Sequence, residues 1–318
     1  MSRTLAPARP ELYEATRLGL LQTPKELRPV WLYDEHGSLL YEEITRLPDY
    51  YLPARETEIL GSHAGAIAER TRVRTLVELG AGNGRRTRIL LDALTRLERF
   101  VPVDVSEEML RDTARTVAAD YPEIEVEERV GDFERDLGEL SGPEPRLIAV
   151  LGSTIGNLYP EQRAALLGAL ASRLGAEDAF LLGIDLVKDT ARLQAAYHDE
   201  AGVTEAFVRN ALTAVNRELE ETFEQERFAY DPLWDARNER MDISLRALER
   251  HTVRAERLGL ELRFAEGERL RVEVSSKFRR RSFQLELERA GLLLDSWWTD
   301  HAGDFALVLA RPEGRPDD

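Results

Sequence analysis

Gly80, Gly82 and Gly84 stand at alternate positions in Thr75-Leu-Val-Glu-Leu-Gly-Ala-Gly-Asn-Gly-Arg-Arg-Thr87, where a short apolar run enters a turn and leaves as a helical stretch. Glycine carries no Cβ and takes positive φ readily, so the backbone can bend sharply after a strand and let a bulky ligand lie against it. A dinucleotide fingerprint needs its third glycine at the sixth position, where helix and sheet pack tightly. Arg85 fills that position, which disfavours a dinucleotide. The next apolar run, Phe100-Val-Pro-Val, ends at Asp104, about 20 residues beyond the glycines, where a carboxylate after the second strand meets ribose hydroxyls. A third run, 124–130, ends in Gly131-Asp132-Phe133, and a fourth, Leu147-Ile-Ala-Val-Leu151, ends in Gly152-Ser-Thr-Ile-Gly-Asn157. Alone, Asp104 or Asp132 reads as a helix cap or turn former. In order along the chain, these strand ends read as a nucleoside-cofactor site.

Such groups converge only if strands and helices alternate between them. Residues 57–185 do alternate, with amphipathic stretches at 87–97 and 107–119, a helix opening at Pro160, and Ala179-Phe-Leu-Leu-Gly-Ile-Asp185 as the fifth strand, as a parallel βαβ sheet requires. After Val187 the period changes. Helices are predicted over 191–197 and 204–219, with Gly202 as a stop signal between them. Strands are predicted over 240–249, 252–254, 260–264 and 270–274, then a helix over 278–290 and a closing hairpin of 292–298 with 305–310. The expected fold is α/β: a doubly wound, Rossmann-like, seven-stranded and mostly parallel sheet, with an additional α+β region inserted between the fifth strand and the last helix. The expected boundaries are 54–187 and 277–318 for the core, and 10–53 and 188–276 for a substrate-binding domain or lid beside the strand ends. The plainer reading of the insertion is a cover over an exposed sheet edge. Residues 1–10 and 311–318 are expected to be disordered.

Composition narrows the class. The 59 acidic against 43 basic residues, a formal charge of −16, argue against nucleic acid as the main partner and favour a small-molecule substrate. No run approaches the ~18 apolar residues of a membrane span, and 1–10 lacks the apolar core of a signal peptide. The expected location is cytoplasmic, with no membrane partner. The absence of cysteine excludes disulfides, thiolate catalysis and cysteine-ligated zinc. His36, His63, His198, His251 and His301 are dispersed without an i, i+4 pair, so no metal is expected.

With Glu78 two residues before Gly80, the loop reads acidic-x-Gly-x-Gly-x-Gly and resembles the first motif of class I S-adenosylmethionine-dependent methyltransferases. In these enzymes an acidic or amide side chain at the place of Asp132 commonly reaches the adenine amino group while a neighbour covers the ring. Further stretches are more specific. Thr45-Arg-Leu-Pro-Asp-Tyr-Tyr51, Leu151-Gly-Ser-Thr-Ile-Gly-Asn157, Asp185-Leu-Val-Lys-Asp189, 196–207, Glu273-Val-Ser-Ser-Lys-Phe278 and Trp297-Trp-Thr-Asp300 resemble the histidine Nα-methyltransferases of ergothioneine biosynthesis, in the same order and at similar spacing from about Tyr33 to Ala310. The resemblance implies a monomeric two-domain enzyme that transfers three methyl groups in succession from S-adenosylmethionine to the α-amino group of L-histidine, giving hercynine.

Carried over position by position, the resemblance puts cofactor contacts on Gly80, Arg86, Asp104, Asp132 and Phe133, with Gly82 in the same loop. Arg86 stands where relatives carry lysine, and a cation of either kind could meet the methionine carboxylate, with different geometry. Substrate contacts fall on Tyr50, Asn157, Tyr197, Glu273 and Ser275, with Tyr33 near the amino group as the candidate catalytic residue. Asn157 and Tyr197 would hold the carboxylate, and Glu273 and Ser275 the imidazole. A buried carboxylate discriminates, because a substrate without a matching N–H leaves it unpaired. Each residue has a plainer reading: tyrosines in apolar surroundings are usually core, and Glu273 and Ser275, sharing one face of a strand, could simply be solvated. Ile243 stands where a family member has methionine beside the imidazole, a change worth about 1–3 kcal/mol in pocket shape. An N-methyltransferase acting on another amino acid or small amine is therefore the rival activity. A fold kept only for binding is the other, and it would predict a broken glycine loop.

Overall fold

The computed structural model describes residues 10–133, 137 and 140–314. The chain divides into two compact units, Met1–Asp49 with Thr190–Ser275 (unit 1) and Tyr50–Asp189 with Ser276–Asp318 (unit 2).

Unit 1 begins with helix α1 (Pro10–Leu20), the short strand β1 (Lys25–Glu26) and helix α2 (Glu35–Ile44). Unit 2 follows with α3 (Leu52–Thr71), β2 (Thr75–Leu79), α4 (Arg85–Ala93), β3 (Arg99–Asp104), α5 (Glu107–Asp120), β4 (Glu125–Val126), β5 (Arg129–Val130), β6 (Arg146–Val150), α6 (Pro160–Arg173) and β7 (Ala179–Asp185). Unit 1 resumes with α7 (Thr190–Ala196), α8 (Val203–Leu219), β8 (Phe228–Asp235), β9 (Arg240–Ala247), β10 (His251–Ala255), β11 (Leu260–Phe264) and β12 (Arg269–Ser276). Helix α9 (Arg280–Arg289) and the hairpin β13 (Leu292–Thr299) and β14 (Phe305–Pro312) complete unit 2.

The sheet of unit 2 runs β13-β14-β7-β6-β2-β3-β4, with β5 also paired to β3. Its strands are parallel except β14, which is antiparallel to β7 and β13. The seven expected positions are filled, but the run 124–130 supplies two two-residue strands, so the sheet counts eight. Every residue of β2 and β7 is buried, as a parallel sheet covered on both faces requires. One apolar layer carries Ile59, Ile67 and Leu90 from α3 and α4, and the other carries Leu166, Leu170, Phe283 and Leu287 from α6 and α9. The order turns back between β2 and β6, and ligands bind at such a switch, outside the carboxyl ends of the strands.

Two expectations need correction. The tail from Arg311 does not begin as disordered chain: β14 continues to Pro312, with Arg311 opposite Leu293 and its Nη2 donating to the Arg70 carbonyl at 2.6 Å. At the other end, α1 starts at Pro10, which suits a first helical turn. Residues 1–9 and 315–318 lie outside the described residues.

Unit 1 holds a four-stranded sheet, β1-β12-β9-β8, and the separate hairpin of β10 with β11. Helix α8 buries Phe207, Val208, Ala211, Leu212 and Val215, the stripe expected of an amphipathic helix. Strand β8 was not anticipated, because Pro232 interrupts its pattern. It lies at the sheet edge, where proline costs no ladder hydrogen bond. No helix among the described residues is long and apolar enough to cross a membrane.

Candidate active site

The glycine loop joins β2 to α4, at the switch point. Gly82 has φ +51°, and a Cβ built there would meet nothing within 4 Å, so the loop presents open backbone to a ligand. Gly84, at φ +67°, caps α4, and a Cβ there would come within 2.8 Å of the Thr113 methyl. Only glycine satisfies both demands at that position. The loop is pinned from α5, where the Thr113 hydroxyl donates to the Gly82 carbonyl at 2.7 Å. Asp104, at the end of β3, accepts from the Gly82 N–H at 2.9 Å and from the Ser106 N–H at 3.0 Å. The turn-forming reading of Asp104 is thus correct as far as it goes. Each carboxylate oxygen has a second acceptor site, so Asp104 can shape the loop and still receive a ribose hydroxyl. Phe133 is 8% exposed, and its ring edge lies 3.7 Å from where a Cβ on Gly80 would be. Asp132 precedes it at intermediate exposure. These residues suit an adenosyl group: open backbone, an acid at the next strand end, and an aromatic wall behind the first glycine.

Arg86 does not stand alone. Its Nη1 lies 2.9 Å from Glu56 Oε2 of α3, and that carboxylate is fully buried. Glu56 also accepts from the Gly152 N–H, at 2.9 and 3.0 Å to its two oxygens. The guanidinium lies close against Gly152, whose φ is +74° and whose Cβ, if present, would be 3.2 Å from Nη2. Burial holds the Glu56 carboxyl above its ordinary value, against the opposing pull of Arg86 and the Gly152 N–H. One ion pair therefore ties the start of α4 to the loop after β6. Glu78 is also buried, accepting from the Thr87 hydroxyl at 2.5 Å. Burial pushes its carboxyl up to about 8, with the Thr87 hydrogen bond opposing. The pairing of Glu56 with Arg86 was missed from sequence, because 30 residues separate two residues that meet only across the sheet's ends.

The loop after β6 carries Asn157 on a short 3₁₀ turn, Thr154–Asn157. Ser153 enters it at φ +61° and is 2% exposed, its hydroxyl accepting from the Asp185 N–H at 3.0 Å. Gly156 packs so closely that a Cβ would stand 2.9 Å from the Ser276 carbonyl. Tyr50, just before α3, is half-buried against the apolar layer beneath α3.

In unit 1, β12 carries Glu273, 9% exposed, and Ser275, 5% exposed. Neither is solvated, which removes the plainer reading of that strand face. The Tyr197 hydroxyl, just past α7, donates to Ser275 Oγ at 2.8 Å, and the Tyr230 hydroxyl of β8 donates to the Tyr197 carbonyl at 2.6 Å. Burial pushes the Tyr230 hydroxyl well above its ordinary value, and the charge of Glu273 adds to that. Ile243 is 1% exposed in β9, opposite Pro232, so it shares a face with Leu245 and with Tyr230 opposite Leu245. Tyr33, also in unit 1, lies edge-to-face with Tyr41 at 5.7 Å and Phe207 at 5.5 Å between centroids. Asp34, next to it, caps α2 through the Gly37 N–H at 2.8 Å and accepts from Asn210 Nδ2 at 2.6 Å. The structure thus joins Tyr197 to Ser275 and Tyr230 directly, places Ile243 on the sheet face that Tyr230 shares, and packs Tyr33 against Tyr41 and Phe207.

A sheet of this order with one antiparallel strand, a glycine loop after its first parallel strand and an acid after the second is the fold of class I S-adenosylmethionine-dependent methyltransferases. The family model described as "Histidine-specific methyltransferase, SAM-dependent" matches residues 12–312, and the chain belongs to that family. It is 48% identical over 297 residues to the histidine N-alpha-methyltransferase of Mycolicibacterium smegmatis, covering 92% of each chain. The enzyme of the same name from Mycobacterium tuberculosis is 48% identical over 295 residues, again with 92% of each covered. Ergothioneine biosynthesis protein 1 of Neurospora crassa is 34% identical over 207 residues, 63% of this chain and 24% of that protein. The cofactor is S-adenosylmethionine.

Proposed function

We propose that the chain trimethylates the α-amino group of L-histidine to hercynine, on the route to ergothioneine, acting as a cytoplasmic monomer with no nucleic-acid or membrane partner. The observation that carries the choice of substrate, beside the likeness to enzymes named for histidine, is the buried state of Glu273 and Ser275. A buried carboxylate beside Ser275 on one strand face suits a ring that offers it an N–H and selects against one that does not, and imidazole is such a ring.

Gly80, Gly82, Asp104, Asp132 and Phe133 would hold the adenosyl part of the cofactor, and Arg86, braced by Glu56, its methionine carboxylate. When bound, S-adenosylmethionine supplies a methyl group on positively charged sulfur. The protein's own task is then positioning, which can contribute ~7–11 kcal/mol when reactants are held in line. Tyr50, Asn157 and Tyr197 would hold the amino-acid end of the substrate, with Glu273 and Ser275 at the ring. The α-amine must be neutral for each transfer, so protons have to leave. Tyr33, or a water on its hydroxyl, would organise that loss, and its ring face would favour the quaternary product by cation–π attraction.

Mass spectrometry of products after incubation with S-adenosylmethionine and a panel of free amino acids tests the reading. Trimethylated histidine as the dominant product is expected. Methylation of another amino acid instead would point to Ile243, and no turnover on any would refute the substrate assignment. Tyr33→Phe should leave cofactor binding intact and slow proton-dependent transfers, with mono- and dimethylhistidine accumulating. All three steps unchanged would remove Tyr33 from the mechanism.

A further inference from the structure

Tyr51, Lys188 and Lys277, none of which has a role in the reaction so far, meet on one carboxylate. Asp185, the last residue of β7, is fully buried. Lys277 Nζ lies 2.8 Å from its Oδ2, with both side chains at 0% exposure. Lys188 pairs with its Oδ1, and the Lys188 side chain is 5% exposed. The Tyr51 hydroxyl lies 2.9 and 3.1 Å from the two carboxylate oxygens, donating to one of them, and accepts from Lys188 Nζ at 2.6 Å. The Lys188 ammonium also sits over the Tyr51 ring, 4.2 Å from its centroid. Two ammonium groups and a carboxylate are costly to bury, so a core that needed only stability would be served by apolar side chains.

We infer that Asp185, with Tyr51, Lys188 and Lys277, is a positioning cluster that fixes the substrate-facing residues Tyr50 and Asn157 of the reaction proposed above, a reading on which this inference rests. The connections are short. Tyr51 adjoins Tyr50, so anchoring its hydroxyl fixes the backbone that presents Tyr50. The backbone N–H of Asp185 donates to the Ser153 hydroxyl at 3.0 Å, and Ser153 opens the turn that ends at Asn157. Lys277 adjoins Ser276, whose carbonyl backs Gly156 in the same turn. The Val187 N–H donates to the Phe278 carbonyl at 3.1 Å and the Phe278 N–H to the Asp185 carbonyl at 2.8 Å, locking the two lysine-bearing segments in register. Tyr51, Lys188 and Lys277 are each the second residue of unit 2 counted from a point where the chain passes between units. The cluster therefore ties together three ends of unit 2's two segments, both ends of Tyr50–Asp189 and the start of Ser276–Asp318. Its four residues act through Tyr50 and Asn157.

Tyr51→Phe removes the hydroxyl and keeps the ring. The full-length variant and wild type are compared by steady-state methylation of L-histidine and by calorimetric titration with S-adenosylhomocysteine. The expected result is a KM for histidine raised about tenfold, equivalent to about 1.4 kcal/mol, the scale of one buried hydrogen bond. The Kd for S-adenosylhomocysteine should stay within about twofold. Lys188→Met should shift the same parameter in the same direction, and it decides the matter by the same readouts if Tyr51→Phe does not fold. A histidine KM within about twofold of wild type overturns the inference. So does a parallel loss of melting temperature, histidine affinity and S-adenosylhomocysteine affinity, because that is a general structural effect. Wild type that fails to methylate histidine overturns the substrate reading and this inference with it, and that result is distinct because it appears before any substitution is made.

Discussion

Replacing Arg86 with methionine removes the guanidinium paired with the buried Glu56 while leaving the Gly152 N–H in place. Breaking a buried pair by removing one partner costs about 3–5 kcal/mol. The Arg86 side chain is 24% exposed, so water screens part of the pair, and about 2–3 kcal/mol is the better expectation. In a protein of this size that is a fall in Tm of roughly 4–12 °C. The cost should depend on pH, and its sign follows from Glu56. Burial already holds that carboxyl above 4.5 in the folded protein, and loss of Arg86 raises it further. A group raised in this way contributes stability that is complete below its unfolded value and is lost as pH rises through its folded value. The penalty should therefore be smaller at acidic pH, where Glu56 takes up a proton more readily, than at alkaline pH, and pH 5 and pH 8 bracket the comparison. Thermal unfolding of both proteins at the two pH values measures this directly. An equal fall in Tm at both would mean that Arg86 stabilises by packing alone and that the ion pair is not the brace between α4 and the Gly152 loop. The double variant Glu56→Gln with Arg86→Met should lose less than the two single changes added together, since the second removes what the first leaves unpaired.

Two further outcomes are expected. Glu273→Gln should lower kcat/KM for L-histidine by roughly 10- to 100-fold, the worth of a hydrogen bond to a charged group out of water, while S-adenosylhomocysteine titrates as in wild type; a loss below about threefold would take Glu273 out of ring recognition. Glu78 is raised by burial to about 8, so the folded protein holds a proton between pH 4.5 and about 8 that the unfolded chain releases, and wild-type stability should decline across that interval by a few kcal/mol. Glu78→Gln, which keeps an acceptor for Thr87, should flatten that decline, and identical pH slopes of Tm in variant and wild type would show that Glu78 is not the group responsible.

Much of unit 2 was legible because its signals are local. A parallel sheet buried on both faces writes its strands as continuous apolar runs, and Leu147–Leu151 and 179–185 could be read on that ground alone. The loop Gly80–Gly84 was legible because positive φ restricts residue type. Edges were harder. The run 124–130 has an alternating pattern that reads as one strand, yet at the sheet margin it pairs with β3 in two short pieces, Glu125–Val126 and Arg129–Val130. Strand β8 was hidden by Pro232, which is tolerated only because no strand lies beyond it. Arg311 looked like the start of a charged tail, whereas its guanidinium is held by the Arg70 carbonyl and Asp295, at 2.6 and 3.3 Å.

For the site, the division lies between residues that announce a ligand and residues that hold other residues. Asp104, Asn157, Tyr197 and Glu273 could be nominated from family motifs, because a motif records side chains and their order. It does not record what they lean on. Glu56 sits in the second turn of α3 like any solvent-facing glutamate, and only the topology, which brings Arg86 and Gly152 to the same strand ends, makes it a fully buried acid. Asp185 reads as the polar end of a strand, and nothing local says that Tyr51, 134 residues earlier, and Lys277 share it. Since an unpaired charge at either place would cost several kcal/mol, each acid constrains distant positions about as tightly as a large side chain of the apolar layers does. A substitution remote in sequence from the glycine loop, at Glu56, Lys188 or Lys277, should therefore disturb this enzyme more than Arg86→Lys, since lysine keeps the charge that pairs with Glu56.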